Sequence, residues 1–406
     1  MAVQQPLRRN RNFMLLWIGQ ALSALGSRVS LVAYPLLVLA TTHSPSKAGL
    51  VGFAQAVPVT VLALPAGVLA DRVNRRLLMI ACDGARALAL ACIPVALAAG
   101  SLPYGLILGV ALVDGAGFVF TYVAERGALR NLVAPEQLGE AVARNESRMF
   151  GAALVGPPLG GALFGLARAL PFIGDAVSYA VSVATKLAIG SDLRGERTGL
   201  EPAGAREGLR WLWQRPFFRD CSLLFACSNP IFTGLELLII VLARRHGASA
   251  ALVGAMLGVS AVGGLIGTLL APRLARRVSA RAALIAETWT LAVTLPLLAL
   301  AHNALLLGAI IGAAELFTPT TNAIVSGLRV ALAPDALQGR VQAASTVVSF
   351  AAGWLGPLGV GLLLTGAGST ATVLVLTGWA LVLALAVLVV GAFRHAPAFP
   401  GHTPQP

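Results

Sequence analysis

Charge is scarce in this chain. Of its 406 residues 12% are charged and 57% hydrophobic, with a mean hydropathy of +0.80. A soluble domain needs far more polar surface than that to cover its core. Lysine is nearly absent: Lys47 and Lys186 stand alone among 30 basic residues, the rest being arginine. Histidine is rare too. His43, His246 and His302 fall in expected outer loops and His395 and His402 in the C-terminal tail, an arrangement that offers no metal site and no histidine-based catalytic cluster. The four cysteines, Cys82, Cys92, Cys221 and Cys227, lie in apolar segments without a CxxC spacing, which suits buried reduced thiols rather than a disulfide or metal framework. No GxxxxGK[ST] phosphate loop occurs, so an ATP-driven pump carried on this chain alone is excluded. Neither an enzyme nor a cofactor is expected.

What is present is a succession of apolar runs of about twenty residues or more, each long enough to cross roughly 30 Å of hydrocarbon. Cutting at charged or Pro/Gly-rich breaks predicts twelve spans, near 13–40, 48–70, 77–99, 104–128, 141–167, 171–190, 218–243, 249–271, 282–301, 304–330, 341–365 and 370–393. The basic N-terminal stretch runs into apolar sequence past Ser27 and Arg28 without a small-residue cleavage site, and so reads as the first span. The net charge of +13 would suggest a nucleic-acid partner in a soluble protein. Here the arginines fall in short loops on one side, with Lys47, Arg168, Arg244 and Arg245 opposite and Arg28, Arg86 and Lys186 within spans. The positive-inside bias then places both termini in the cytoplasm, in a bacterial plasma membrane.

The sequence repeats itself at an offset of about 200 residues. LVAPEQLGEAVARNE (132–146) aligns with ALAPDALQGRVQAAS (331–345), and GPPLGGALF (156–164) with GPLGVGLLL (356–364). GVLADRVNRRLLM, beginning at Gly67, has an echo beginning at Gly267. The division expected is a six-helix N-terminal half over 1–190, a cytoplasmic linker with an interfacial helix over 191–217, and a six-helix C-terminal half over 218–406. The linker helix is suggested by Trp211, Trp213, Phe217 and Phe218 interleaved with Arg210 and Arg215. Repeated halves flanking a site are characteristic of alternating-access transporters.

The loop motif Gly67-x-Leu69-x-Asp71-Arg72-x-x-x-Arg76 resembles the signature of the major facilitator superfamily between spans two and three. In the echo the acid is gone and Arg273, Arg276 and Arg277 remain. Gly156-Pro157-Pro158-Leu159-Gly160-Gly161 resembles the Gly-Pro-x-x-Gly-Gly core of that superfamily's proton-coupled exporters, with Ala152 in place of the upstream glycine. WIGQALSALGSRVSLVAYPLLV, CDGARALAL and DAVSYAVS are similar to the branch of enterobactin exporters and macrolide efflux pumps, across essentially the whole chain. Ser27 stands where that branch often has Asp, and span four lacks the arginine of many drug–proton antiporters. The resemblance implies an all-α integral membrane protein with twelve transmembrane helices in two pseudo-symmetric six-helix halves.

Ionisable side chains inside spans cost at least about 2.5 kcal/mol at mid-depth and mark candidate sites. Asp83 and Arg86 are three apart on one helical face, toward its inner end, and are expected to neutralise one another or the loop above, or to act in gating. Asp114 and Glu315 have no oppositely charged neighbour on their own helices and sit near mid-depth, and Glu236 lies further out, near Asn229 and Pro230. They could carry protons, attract a cationic substrate, or pair with Arg28 or Lys186. Glu287 reads as structural and near a membrane face, and Asp175 as an outer helix start. Gln20, Arg28, Tyr34, Gln55, Phe118 and Trp354 are candidates for a mixed polar and apolar cavity. Asp71 is expected to meet the start of span eleven at Gly339-Arg340, with Arg340 as a bonding partner in one transport state. The function these features imply is a monomeric, proton-coupled exporter of small amphipathic molecules such as a drug or siderophore. A proton-coupled importer is the alternative, and a membrane receptor or enzyme a more distant one. Neither a metal nor a nucleic acid is expected.

Overall fold

The computed structural model describes residues 6–191, 193 and 202–397. Part of the expected linker (192 and 194–201) and His402 of the tail lie outside the described residues. Regular structure among them is helical throughout, as a chain in hydrocarbon must be when every backbone N–H and C=O needs an internal partner.

The first unit, Met1–Gly199 with Ser249–Ala255, contains α1 (Arg11–Thr42), α2 (Pro45–Val61), α3 (Ala63–Arg72), α4 (Arg75–Ala98), α5 (Tyr104–Leu132), α6 (Leu138–Leu166) and α7 (Leu170–Leu187). Polar side chains fix several of the starts: Asn10, Ser44 and Asn74 each accept a backbone N–H of the first turn, satisfying donors that would otherwise be orphaned. Pro58 sits inside α2, and α2 and α3 meet at a bend of 59°, a break of the kind proline imposes. In this unit α1 packs on α6 and α7, α4 on α5 and α7, and α2 on α5.

The second unit, Leu200–Ala248 with Met256–Pro406, contains α8 (Pro202–Trp213), α9 (Pro216–Arg245), most of α10 (Ala250–Leu274), α11 (Ala280–Leu297), α12 (Ala304–Ala314), α13 (Thr318–Leu332), α14 (Gln338–Phe350), α15 (Leu355–Gly366) and α16 (Gly368–Val389). Two expected spans are interrupted here. Residues 315–317 separate α12 from α13, ahead of Pro319, and 351–354 separate α14 from α15, ahead of Gly356 and Pro357. The helix α8 does form, but Trp211 is buried against Phe218 and Arg215, with its ring 5.3 Å from one and 4.2 Å from the other. Only Trp213 is exposed in the manner of an interfacial anchor. Gly208 allows α8 to approach the backbone of Arg340 at the start of α14: a Cβ there would lie 2.3 Å from its carbonyl oxygen.

Nine helices among the described residues are long and apolar enough to span a membrane, ten with the bent pair α2–α3. The other two, α7 and α11, have 18 residues each and carry Asp175 with Lys186, and Arg281 with Glu287. Their lower apolarity reflects buried ionisable residues, and with them the chain has the twelve transmembrane helices of an all-α multi-pass membrane protein.

The repeated glycines work at helix crossings. A Cβ on Gly156 would lie 2.3 Å from Arg28 Cβ, and one on Gly160 2.5 Å from the carbonyl oxygen of Val29, both on α1; one on Gly161 would lie 2.4 Å from the carbonyl of Ala250. In the other copy Gly356 approaches α9 in the same way, 2.2 Å from the carbonyl of Pro230. Small residues at these positions let helix backbones touch, which is how membrane helices gain packing energy without a hydrophobic driving force.

Candidate functional site

A cavity of about 280 Å³ lies within the first unit. Four of the expected cavity residues, Gln20, Arg28, Gln55 and Phe118, line it, together with Ser27, Leu31 and Met149. The other two do not. Tyr34 is fully buried with its ring edge-on to Phe172 at 5.2 Å, because its position on α1 faces α7 rather than the cavity. Trp354 sits in the break before α15, its indole Nε1 donating to Ala351 O at 2.7 Å.

The charges of this unit pair across helices, not along them. Asp83 does not neutralise Arg86. Its carboxylate is ion-paired with Lys186 of α7 and accepts from Thr121 of α5 at 3.2 Å, with both Asp83 and Lys186 at 0% exposure. Arg86 instead reaches Asp114 of α5, Nε and Nη2 each 2.8 Å from Oδ1. Asp114 is therefore paired, though with neither of the cations expected for it. Gln55 donates to its Oδ2 at 3.4 Å and Tyr179 to its Oδ1 at 3.3 Å. The Arg86 guanidinium also lies 4.1 Å from the centroid of the Tyr179 ring, a cation–π contact strengthened by exclusion of water. Gly117 is what admits the arginine: a Cβ there would stand 2.6 Å from Arg86 Cδ and Cγ.

Asp175 is no outer helix start. It is fully buried within α7, accepting from Ser30 of α1 and from Ser178. Glu125 and Arg148, lining the same cavity, form a buried pair at 2.9 Å. Sequence reading missed Asp175, Tyr179, Glu125 and Arg148 as site residues. The one available signal was a polar or charged residue recurring on otherwise apolar helices, without its partner. Arg28 lines the cavity with no ion pair among the described residues.

In the second unit Glu315 occupies the break after α12, half-buried, with its Oε2 3.4 Å from where a Gly264 Cβ would stand. It has no ion pair among the described residues and lies within electrostatic reach of Glu236 on α9. A second cavity, about 300 Å³, is lined by Phe225, Ser228, Asn229, Glu287, Arg329 and Gln342 among others. Glu287 thus belongs near the middle of α11, buried, and not near a membrane face.

The loop motif has a clear physical role. Asp71 is bonded to Arg75 at 3.2 Å, and Arg75 in turn donates to Gly127 O and Asn131 Oδ1, each at 3.0 Å, at the end of α5. Arg76 donates through Nε to Lys186 O at 2.7 Å and through Nη2 to Leu187 O, capping the last carbonyls of α7, where a cation is favoured. Arg72 is exposed, and Gly67 has open space about it. Arg340, expected as the partner of Asp71, is paired with Glu207 of α8. Gly339 has open space around it.

Helices of span length, buried ion pairs in the first unit and a partly open cavity of mixed lining in each unit are features of a membrane transporter. The sequence profile described as Major Facilitator Superfamily matches residues 16–357. The chain belongs to that superfamily. It is 28% identical over 392 residues to the multidrug efflux pump Tap of Mycolicibacterium fortuitum, covering 90% of this chain and 93% of that one. It is 26% identical over 398 residues to the Tap pump of Mycobacterium tuberculosis, with 91% of each chain covered. Among solved structures it is similar to the nucleoside transporter NupG, with a TM-score of 0.72 at 16% identity over 95% of this chain and 99% of that one. A bacterial homologue of the iron transporter ferroportin in an inward-facing state gives 0.71 at 18% identity, with coverages of 95% and 99%. At those identities the structural likeness carries the fold alone.

Proposed function

We propose that the chain is a proton-coupled exporter of small amphipathic molecules, working by alternating access of its two six-helix halves as a monomer in a bacterial plasma membrane with both termini cytoplasmic. The observation that carries the reading is the cavity of about 280 Å³ in the first unit, where Leu31, Phe118 and Met149 share the lining with Gln20, Gln55 and the Arg86–Asp114 pair. Such a surface accepts an apolar body and offers a few fixed polar contacts. The Tap pumps, similar along nine-tenths of the chain, support the export direction.

For coupling, the second unit offers Glu315, which has no counterion among the described residues and feels the negative charge of Glu236. A carboxylate so placed can take up a proton in one state and release it in another. Asp114 could do the same only by opening its bond to Arg86, so Glu315 comes first. The tests are a substrate panel in proteoliposomes with an imposed pH gradient, and Glu315→Gln in the same assay. The substitution should leave insertion intact and abolish the part of efflux driven by the gradient. Efflux with an unchanged pH dependence would remove Glu315 from the mechanism, and uptake driven down the gradient would reverse the direction.

A further inference from the structure

The internal repeat makes one carboxylate conspicuous. Asn74 caps α4 and Ser279 caps α11 at the same place in the two copies. Asp83 follows the first cap by nine residues and Glu287 follows the second by eight. Thr121 of α5 donates to Asp83, and Thr321 of α13, its counterpart at the repeat offset, stands beside Glu287. At that offset Asp83 corresponds to Ala283, whose carbonyl oxygen accepts from Thr321 Oγ1 at 3.3 Å, and Lys186 to Ala386, so Glu287 stands one turn beyond the post of Asp83, on helices that pack alike, α4 on α7 and α11 on α16. Their counterions are not equivalent. The helix α7 delivers Lys186 to Asp83, whereas α16 has no ionisable residue anywhere in its 22 positions.

No basic side chain forms an ion pair with Glu287 among the described residues. Glu287 is 6% exposed with the Thr318 and Thr321 hydroxyls beside it, and among the described residues its Oε2 has no partner in hydrogen-bond geometry. Of the charged side chains on the helices packed around it, Arg329 of α13 lines the same cavity but donates to Gln342 at 2.9 Å and forms no ion pair with Glu287. Facing it from α9 are Phe225, Ser228 and Phe232, and from α16 Ala380 and Leu383. A buried carboxylate with an unpaired oxygen is costly unless something fills the space before it, and here that space is a cavity of about 300 Å³.

We propose that this cavity is a binding site for an organic ammonium ion, with Glu287 as counterion and hydrogen-bond acceptor and Phe225, Phe232 and Phe350 against the apolar body. Phenylalanine faces suit a cation's alkyl surface, and Asn229, Asn322 and Ser349 at the wall supply further acceptors for its N–H groups. The ligand supplies to Glu287 the positive charge that Lys186 supplies to Asp83 in the other half. The inference rests on the exporter reading only for what the bound ion then undergoes; binding itself is independent of it.

The probe is N-(1-naphthyl)ethylenediamine, a fluorescent primary ammonium at neutral pH, with 2-(1-naphthyl)ethanol as its uncharged counterpart. Both are titrated against the purified full chain in detergent. The wild type should bind the ammonium at least tenfold more tightly than the alcohol. Glu287→Gln should weaken the ammonium by roughly tenfold to a hundredfold, the effect of removing one charge-assisted bond, and leave the alcohol within about twofold. Glu287→Asp should recover part of the loss. Equal affinity of wild type and Glu287→Gln for the ammonium overturns the proposal, as does no binding by the wild type. An equal loss for both probes also overturns it, since that reports a collapsed cavity. A chain that binds the ammonium as expected yet moves nothing in proteoliposomes would defeat the exporter reading and leave this site standing.

Discussion

Removing Asp83 or Lys186 singly should damage the protein more than removing both. Each side chain is at 0% exposure, and the two form a direct ion pair between α4 and α7. Asp83→Asn leaves an ammonium in a low-dielectric interior with Thr121 nearby but no counterion, and Lys186→Met leaves a carboxylate in the same position. Breaking such a pair from one side costs about 3–5 kcal/mol, whereas replacing both partners with neutral groups is often close to neutral. In a chain of this size that corresponds to a drop of roughly 4–6 °C in thermal midpoint, readable by fluorescence-detected gel filtration of heated detergent extracts. The double variant Asp83→Asn/Lys186→Met should regain most of the loss. Sequence spacing alone would choose Arg86 as the partner, so Asp83→Asn/Arg86→Met is the control: it should be worse than either single variant, because it also strips Asp114 of its counterion at 2.8 Å. Rescue of Asp83→Asn by Arg86→Met, or no rescue by Lys186→Met, would refute the pairing and with it the account of how α4 and α7 are held together.

Two further outcomes test the local arguments. Asp71→Asn removes a partly exposed pair with Arg75 worth less than about 1 kcal/mol while leaving Arg75 bound to Gly127 and Asn131. Expression and thermal midpoint should therefore be unchanged, and a transport rate reduced at least tenfold would mark the loop as a conformational gate; normal transport would make it a fastening only. Gly115→Ala gains up to about 1 kcal/mol of helix propensity but places a Cβ 2.2 Å from the carbonyl oxygen of Gln55. Overpacking of backbone on backbone costs about 1–3 kcal/mol, so the variant should be less stable on balance, and one that melts higher would show that α2 and α5 can part without loss.

The architecture was legible because hydrocarbon leaves few choices. Apolar runs of span length, loops rich in arginine and a repeat of about 200 residues define twelve helices with little tertiary information, whereas the breaks at 315–317 and 351–354, beside Pro319, Gly356 and Pro357, interrupt two spans that hydropathy alone reads as continuous. The site was legible only in its composition. Asp83, Arg86, Asp114 and Lys186 were all visible as charges within apolar sequence, but spacing on one helix reports only which residues share a face. It cannot report which face of another helix lies opposite. Arg86 stands three residues from Asp83 and yet bonds to Asp114 on α5, because Gly117 leaves room on that side and the Tyr179 ring covers its guanidinium from α7. Lys186 was visible within its span as a possible partner for Asp114, Glu236 or Glu315; α7 instead turns it toward Asp83, and Arg76 caps the carbonyls that Lys186 and Leu187 leave free. The same limit hid Glu287. Its meaning comes from the cavity it lines and from a carboxylate oxygen left without a partner among the described residues, neither of which exists until α9, α11 and α13 are packed together.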